Sequence, residues 1–531
     1  MLSLKIPLNV LNNPSREELR RLAQEDETPT AFNAPAYYTQ KAASRSAQFT
    51  YYLNDGPLGK SQRAADPKMT ADVEQFLDRQ LKELELIQID RVIGNNTQKN
   101  WHCRLLIPKQ YARIALMWSG TLFDASPRQR DPAVKPDFLT IDLPNWPEAF
   151  DNLGNMKALG PKGIFILPDK GCTYILGTDY VGEVKMSFLR QAMYQMKRLG
   201  GLGLHAGSKV IKIKSGKALG SAGARLEEIG VLLFGLSGTG KTTLTLDSHG
   251  LGAPEGIELL QDDIVWLTQN GQAFGTEDNF YVKTEGINEE NQPTIFHALF
   301  NDETVFENVA VNGSTKQPEL NNYSRGTNGR ALVMRQKIRG SSDRINLAKV
   351  HKIFFITRRD TVVPPVARLN SEQAGAYFML GESIETSAGD PTKAGEAKHE
   401  VGFNPFIVGV EEEEGRRLAG ILKANNIECY LLNTGSLGKG GDIPNQKERK
   451  ITQVISSKII EAVVRGTIPW IKDPRWGYDV AADIAGVPEW RTLMRPEPYY
   501  SPALLERLTL DLLKERKAFL AQYHFELPTG Q

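Results

Sequence analysis

Apolar residues recur at helical spacing over residues 71–86 (ADVEQFLDRQLKELEL) and then give way to a β-like run at 87–92, which predicts a helix leading into a strand. Residues 114–117 and 138–141 read as β-rich runs around a Pro-rich connection. Residues 163–167 and 173–176 read as strands, and 184–199 as a helix. The first forty residues mix polar side chains with Pro and Asn and predict an irregular arm. Residues 215–228, rich in Gly, Ala, Ser and Lys, have turn character and mark a boundary. The expected organisation is therefore an α/β N-terminal lobe, 1–215, followed by a second lobe, 216–531. The second lobe opens on IGVLLF (229–234), a short apolar run followed by glycines, as a buried parallel strand would be. The acidic run 411–414 predicts a helix start, with acids at the positive end of the dipole. Residues 386–396 (TSAGDPTKAGE) predict a mobile loop, a lid if the chain is an enzyme. Residues 502–523 predict a closing helix.

Composition excludes several classes. With 531 residues, 40% hydrophobic and 24% charged, the chain has the make-up of a multi-domain globular protein, not a disordered, collagenous or disulfide-stapled one. Lys plus Arg (64) against Asp plus Glu (63) leaves a formal net charge of +1, so no global field directs it to nucleic acid or an anionic membrane. Cys103, Cys172 and Cys429 lie far apart without a CxxC or Cys/His cluster, and read as buried thiols in a reducing compartment. The N-terminal residues lack the apolar core of a signal peptide, and no apolar run approaches the ~18 residues of a membrane span. A cytoplasmic protein is expected.

The chemistry is carried by Gly235-Leu236-Ser237-Gly238-Thr239-Gly240-Lys241-Thr242, followed by Thr243. This is G-x-x-x-x-G-K-[ST] with an apolar strand before it and a helical pattern after it. Glycines let successive backbone amides turn toward phosphate oxygens, Lys241 reaches the β- and γ-phosphates, and the Thr242 hydroxyl can ligate Mg²⁺. A second strand, 257–260, leads into Asp262 and Asp263, 22 residues beyond Lys241, where a carboxylate for the metal is needed. The chain is expected to bind a nucleoside triphosphate.

The flanking segments narrow the choice. In GLSGTGKTTL (235–244), Tyr281-Val-Lys283-Thr, ENVAV (307–311), FFITRRDTVVPPVARL (354–369) and LLNTG (431–435), the chain resembles ATP-dependent phosphoenolpyruvate carboxykinase. GTDYVGEVKMSF (177–188) is similar to that family's GTWYGGEMKKGMF, and the 22-residue step from Glu183 to His205 keeps the family spacing. The resemblance runs over about residues 160–525. It implies a two-lobed α/β fold whose C-terminal lobe carries the P-loop, with the active site in the cleft between the lobes. The implied reaction is oxaloacetate plus ATP to phosphoenolpyruvate, ADP and CO₂, with Mg²⁺ and a second metal, Mn²⁺. By position it implies that Lys241 stabilises the transferring phosphoryl group and that Ser237 and Thr242 contact nucleotide and Mg²⁺. Lys283 would contact nucleotide, and His205 and Asp263 would bind the second metal. Arg330 would neutralise charge between donor and acceptor, Tyr180 and Arg45 would hold the carboxylic substrate, and Lys185 and Asp262 would take part in catalysis.

Two departures stand out. The second lysine of the family's KK pair, a neutral-amine ligand of Mn²⁺, is Met186 here, a soft thioether ill suited to a hard ion. After LLNTG the family continues WNGTGKR, with an arginine near the adenine, whereas this chain reads SLGKGGD and places Asp442 there. The P-loop, the Asp pair, Lys283 and Arg330 form a phosphoryl-transfer kit even without the enolate half. A kinase of the same fold acting on another small molecule or a protein, or a non-catalytic nucleotide-sensing homologue, are thus the alternatives.

Overall fold

A computed structural model describes residues 9–97, 99–150, 154–214, 225–236, 238–326, 328–385 and 395–528. The chain is mixed α/β with several sheets. It divides into two compact units that interleave along the sequence. The first comprises Met1–Gln195, Thr276–Arg339 and Phe406–Val410, and the second Met196–Gly275, Gly340–Pro405 and Glu411–Gln531. This differs from the single division expected at residue 215. The first unit takes back the strands carrying Lys283 and Arg330, because they join Pro35–Tyr37 in one sheet through Val305–Glu307 and do not pair with the P-loop strand.

In the first unit an eight-stranded mixed sheet runs in the order Val10–Asn12, Leu86–Asn96, Lys99–Pro108, Phe138–Leu143, Cys172–Leu176, Gly163–Leu167, Thr50–Tyr52, with Phe123–Asp124 paired to Leu86–Asn96 off this path. The helix Pro67–Gln80 starts where the Asp66 side chain accepts from Lys68 N and Pro67 fixes the first turn. Its buried residues Thr70, Val73, Phe76 and Leu77 fall on one face, and the Phe76 ring meets Trp146 and Phe150 edge-on at 5.2 Å each. A second sheet in this unit has the order Phe280–Lys283, Arg330–Val333, Val305–Glu307, Pro35–Tyr37, Thr28–Pro29.

The second unit is built on a ten-stranded sheet. At its centre Leu226–Gly235, Lys352–Thr357 and Glu428–Asn433 run parallel, buried from Ile229 onward, which is why these segments are near-continuous apolar runs. Phe234 packs on Phe355, Phe378 and Phe403, with ring centroids 5.4, 5.7 and 6.1 Å away.

Several sequence expectations change. Residues 114–117 lie inside a helix, Ala112–Ser119, not a strand: all eight residues are buried, so no periodicity marks them, and Ala, Leu and Met favour the helix. The first forty residues are not irregular throughout. Ser15 Oγ accepts from Glu18 N and caps the helix Arg16–Leu22, and Pro35–Tyr37 pairs with Val305–Glu307, a partner no local pattern reveals. The helix expected at 71–86 starts and stops earlier, and the expected boundary at 215–228 is strand from Leu226 on. Residues 215–224, 386–394 of the expected lid, and Ser237 lie outside the described residues. Among the described residues no helix is long and apolar enough to cross a membrane.

The closing helix, Pro502–Ala521, is anchored by charge. Fully buried Arg516 donates through Nε to Glu382 at 2.9 Å and through Nη1 to Tyr377 Oη at 2.9 Å, and its guanidinium lies 5.0 Å from the Trp476 ring. Burial alone would raise the Glu382 carboxyl, but the Arg516 and Arg359 guanidiniums draw it down to about 2. Removing Arg516 leaves buried Glu382 with Arg359 as its remaining guanidinium partner, so Arg516→Leu is expected to destabilise the protein by about 3 kcal/mol, read as a lowered urea midpoint.

Candidate active site

The P-loop leaves the sheet at Gly235, the last residue of Leu226–Gly235, and enters the short helix Lys241–Leu246. Gly238 and Gly240 have φ of +82° and +93°, a region that side chains with a Cβ rarely enter, so glycine is required at both. Leu236 and Thr239 are buried; the Thr239 hydroxyl donates to the Leu236 carbonyl at 2.8 Å and closes the turn. Outside the loop, Thr434 Oγ1 donates to the Thr239 carbonyl at 2.8 Å and Arg358 Nη1 to that of Gly238 at 3.1 Å. Both belong to segments that carry the resemblance, 431–435 and 354–369.

Asp262, in the turn between the strands Gly256–Gln261 and Ile264–Leu267, ties the loop to the sheet. Lys241 Nζ donates to its carbonyl and lies 3.7 Å from Oδ1, while the Thr242 hydroxyl donates to Oδ2 at 2.8 Å. A threonine hydroxyl held against a carboxylate is an oxygen set that suits Mg²⁺. At the far end of the helix the buried Lys209 amine donates to the carbonyls of Leu244 (2.6 Å) and Asp247 (3.1 Å); burial lowers it to about 7.

His205 Nδ1 lies 2.9 Å from the carbonyl of Phe403, which can only accept, so this nitrogen carries the proton. Nε2 lies 3.2 Å from Asp263 Oδ1. This nitrogen and the carboxylate oxygen stand side by side, and such N and O donors suit a first-row divalent metal. Among the described residues, no group of three or more His, Cys, Asp or Glu side chains is placed to hold a metal ion.

The first unit gathers the other candidates. Arg330 stands opposite Lys283 on one neighbouring strand and Glu307 on the other. Its Nε donates to Tyr180 Oη at 3.2 Å, and its guanidinium lies 5.5 Å from the centre of the Tyr281 ring. Lys185 is 2% exposed and pairs at 2.9 Å with Glu277, itself 1% exposed; its ammonium lies 5.6 Å from the same Tyr281 ring. Tyr281 donates to Glu307 Oε2 at 2.9 Å, and Glu307 Oε1 accepts from Val181 N at 3.0 Å. Burial raises the Glu307 carboxyl to about 7. Lys283 is ion-paired with Glu285, and the Arg45 guanidinium lies 4.3 Å from the centre of the Phe406 ring. Met186 is buried beside Lys185 on the helix Val181–Arg198.

The structure thus joins Tyr180, Lys185, Lys283 and Arg330 around Tyr281 in one unit. It joins the P-loop with Asp262, and His205 with Asp263, in the other. Sequence reasoning missed Glu277, in the connection before Phe280–Lys283, and Glu307, at the end of Val305–Glu307, since an isolated Glu carries no signal of its own. Asp442 is committed elsewhere: its carboxylate accepts from Ser501 N at 2.6 Å and from Ser501 Oγ at 2.5 Å, where the closing helix begins.

The sequence pattern of the phosphoenolpyruvate carboxykinase family matches residues 8–490 of the chain. A phosphoenolpyruvate carboxykinase (ATP) of Aeropyrum pernix is 32% identical over 92% of this chain and 94% of its own length. That of Sinorhizobium fredii is 25% identical over 86% of this chain and 81% of its own. A glycosomal one of Trypanosoma brucei brucei is 31% identical over 55% and 58%.

One buried carboxyl near Tyr180 has no evident duty. Neither oxygen of Asp142 meets a hydrogen-bond donor, and burial, then Asp179 and Glu183, push its pKa well above the model-peptide 3.8. A carboxyl raised in the folded state costs stability as pH climbs above its unfolded value, until it ionises in the native state too. Asp142→Asn removes that cost. The variant is expected to melt higher than the parent at pH 8, with the difference shrinking as pH falls toward 4, in melting curves recorded across that range.

Proposed function

The chain belongs to the ATP-dependent phosphoenolpyruvate carboxykinase family and is an enzyme of that activity, and we propose a division of its reaction among the residue groups described above. Oxaloacetate loses CO₂, the resulting enolate oxygen attacks the γ-phosphorus of ATP, and the bond to ADP breaks, giving phosphoenolpyruvate. The finer architecture we infer is the family's two-lobed fold, with the P-loop in the C-terminal lobe.

In this reading the amides of residues 235–243 receive the phosphates, and Lys241, aimed by Asp262, offsets the charge that develops on the transferring phosphoryl group. Thr242 with Asp262 would hold Mg²⁺, and His205 with Asp263 a second divalent ion such as Mn²⁺; such ions, when bound, neutralise phosphoryl and substrate oxygens. Tyr180 and Arg45 orient the carboxylic substrate. Arg330, steadied by Tyr180, compensates charge between acceptor and donor. Lys283 contacts nucleotide. Lys185, held by Glu277, takes part in catalysis from a fixed position, while Met186 contributes packing and no ligand.

The observation that carries the assignment is the double hold of Asp262 on Lys241 and Thr242, which orients both P-loop side chains. Purified protein given ATP, Mg²⁺, Mn²⁺ and oxaloacetate is expected to form phosphoenolpyruvate, and Lys241→Ala to lower kcat by at least about 100-fold with an unchanged circular dichroism spectrum. Undiminished turnover in the variant would refute the role of Lys241. Bound ATP without product in the parent would move the acceptor away from oxaloacetate.

A further inference from the structure

Residues 40–46, which carry Arg45, form neither helix nor strand, so no regular ladder fixes their course. They are held instead by side chains of the first unit. Asp179, 1% exposed, accepts from three consecutive backbone amides, those of Gln40 (2.6 Å), Lys41 (3.0 Å) and Ala42 (3.1 Å). Its charge is balanced by Arg113, which donates to Oδ2 at 2.7 Å and to the Asp179 carbonyl at 3.2 Å. Glu183, one turn further on, accepts from Ser46 N at 3.0 Å. Lys162 Nζ donates to the Lys41 carbonyl at 3.2 Å and Asn328 Nδ2 to that of Ala43 at 2.8 Å.

The two carboxylates flank Tyr180 in sequence, and between them they grip both ends of the segment on which Arg45 sits. Asp179 stands where the family form quoted above has Trp, a side chain with no carboxylate to receive three amides. A buried carboxylate accepting several charge-assisted bonds is a stiff anchor, and three adjacent amides directed at one group fix the local backbone and not merely one atom. We propose that Asp179 is a positioning residue that sets Arg45 for the carboxylic substrate through the backbone of residues 40–42. This rests on the assignment of Arg45 to that substrate in the proposed function.

The test is a double-mutant cycle on the full-length enzyme with steady-state kinetics, joined to amide hydrogen exchange. Asp179→Asn is expected to raise KM for oxaloacetate about tenfold or more while KM for ATP stays within about twofold. On an Arg45→Ala background the same substitution should change little further, because its effect passes through Arg45. Exchange at the amides of residues 40–42 should quicken whether or not turnover is measured. Lys162→Met, a half-exposed change that removes no buried charge, should move the oxaloacetate KM in the same direction by about twofold to fivefold, and carries the test if Asp179→Asn does not fold. Multiplicative losses in the double variant, equal shifts in both KM values, or unchanged exchange would each overturn the proposal. A parent enzyme with no carboxykinase turnover would refute the substrate assignment, and with it the purpose given to Asp179, while quickened exchange in the variant would still register the anchor.

Discussion

Charge taken out of water must meet its opposite, and the interior of this protein is arranged around that requirement. An unpaired ion in a low-dielectric core is so unfavourable that its partner becomes as fixed as the ion itself. Lys185 with Glu277, Arg113 with Asp179 and Arg516 with Glu382 are the main instances. Each pair ties together stretches of chain far apart in sequence, and the first two lie next to residues assigned to substrate. The residues assigned to the candidate site are thus set among buried ion pairs. Such pairs add little net stability over well-packed apolar residues, but they tolerate far fewer geometries.

The nucleotide-binding side obtains its order differently. A parallel strand buried on both faces delivers Gly235 to one point, two left-handed glycines turn the chain, and Asp262 holds the first two helical side chains. Lys209 occupies carbonyls at the end of the same six-residue helix. The loop is thus held at both ends.

Much of this was legible in the sequence, and the exceptions share a cause. The P-loop, the strands before and after it, and Asp262 with Asp263 are contiguous patterns whose meaning is local. Pairing of Pro35–Tyr37 with Val305–Glu307 is not local, and no periodicity in either segment announces it. It also decides that Lys283 and Arg330 belong with the first unit. Residues 114–117 resemble a strand in sequence because a wholly buried run has no polar face to reveal its period. The carboxylate of Asp442 is engaged by Ser501, a partner no local pattern announces. A residue's type shows what it can do; only its neighbours show whether it is already doing something else.

The interleaving of the two units has a consequence for biosynthesis. The strand Pro35–Tyr37 finds its parallel partner about 270 residues downstream. At ordinary translation rates that partner leaves the ribosome on the order of 15–50 s later. Throughout that interval one edge of the early strand has no mate, and Val181 lacks the Glu307 carboxylate that receives its amide. A growing chain with an open edge is prone to pair with its neighbours on a polysome. The second sheet of the first unit therefore cannot close until more than 300 residues have been made, whatever the speed of its local elements.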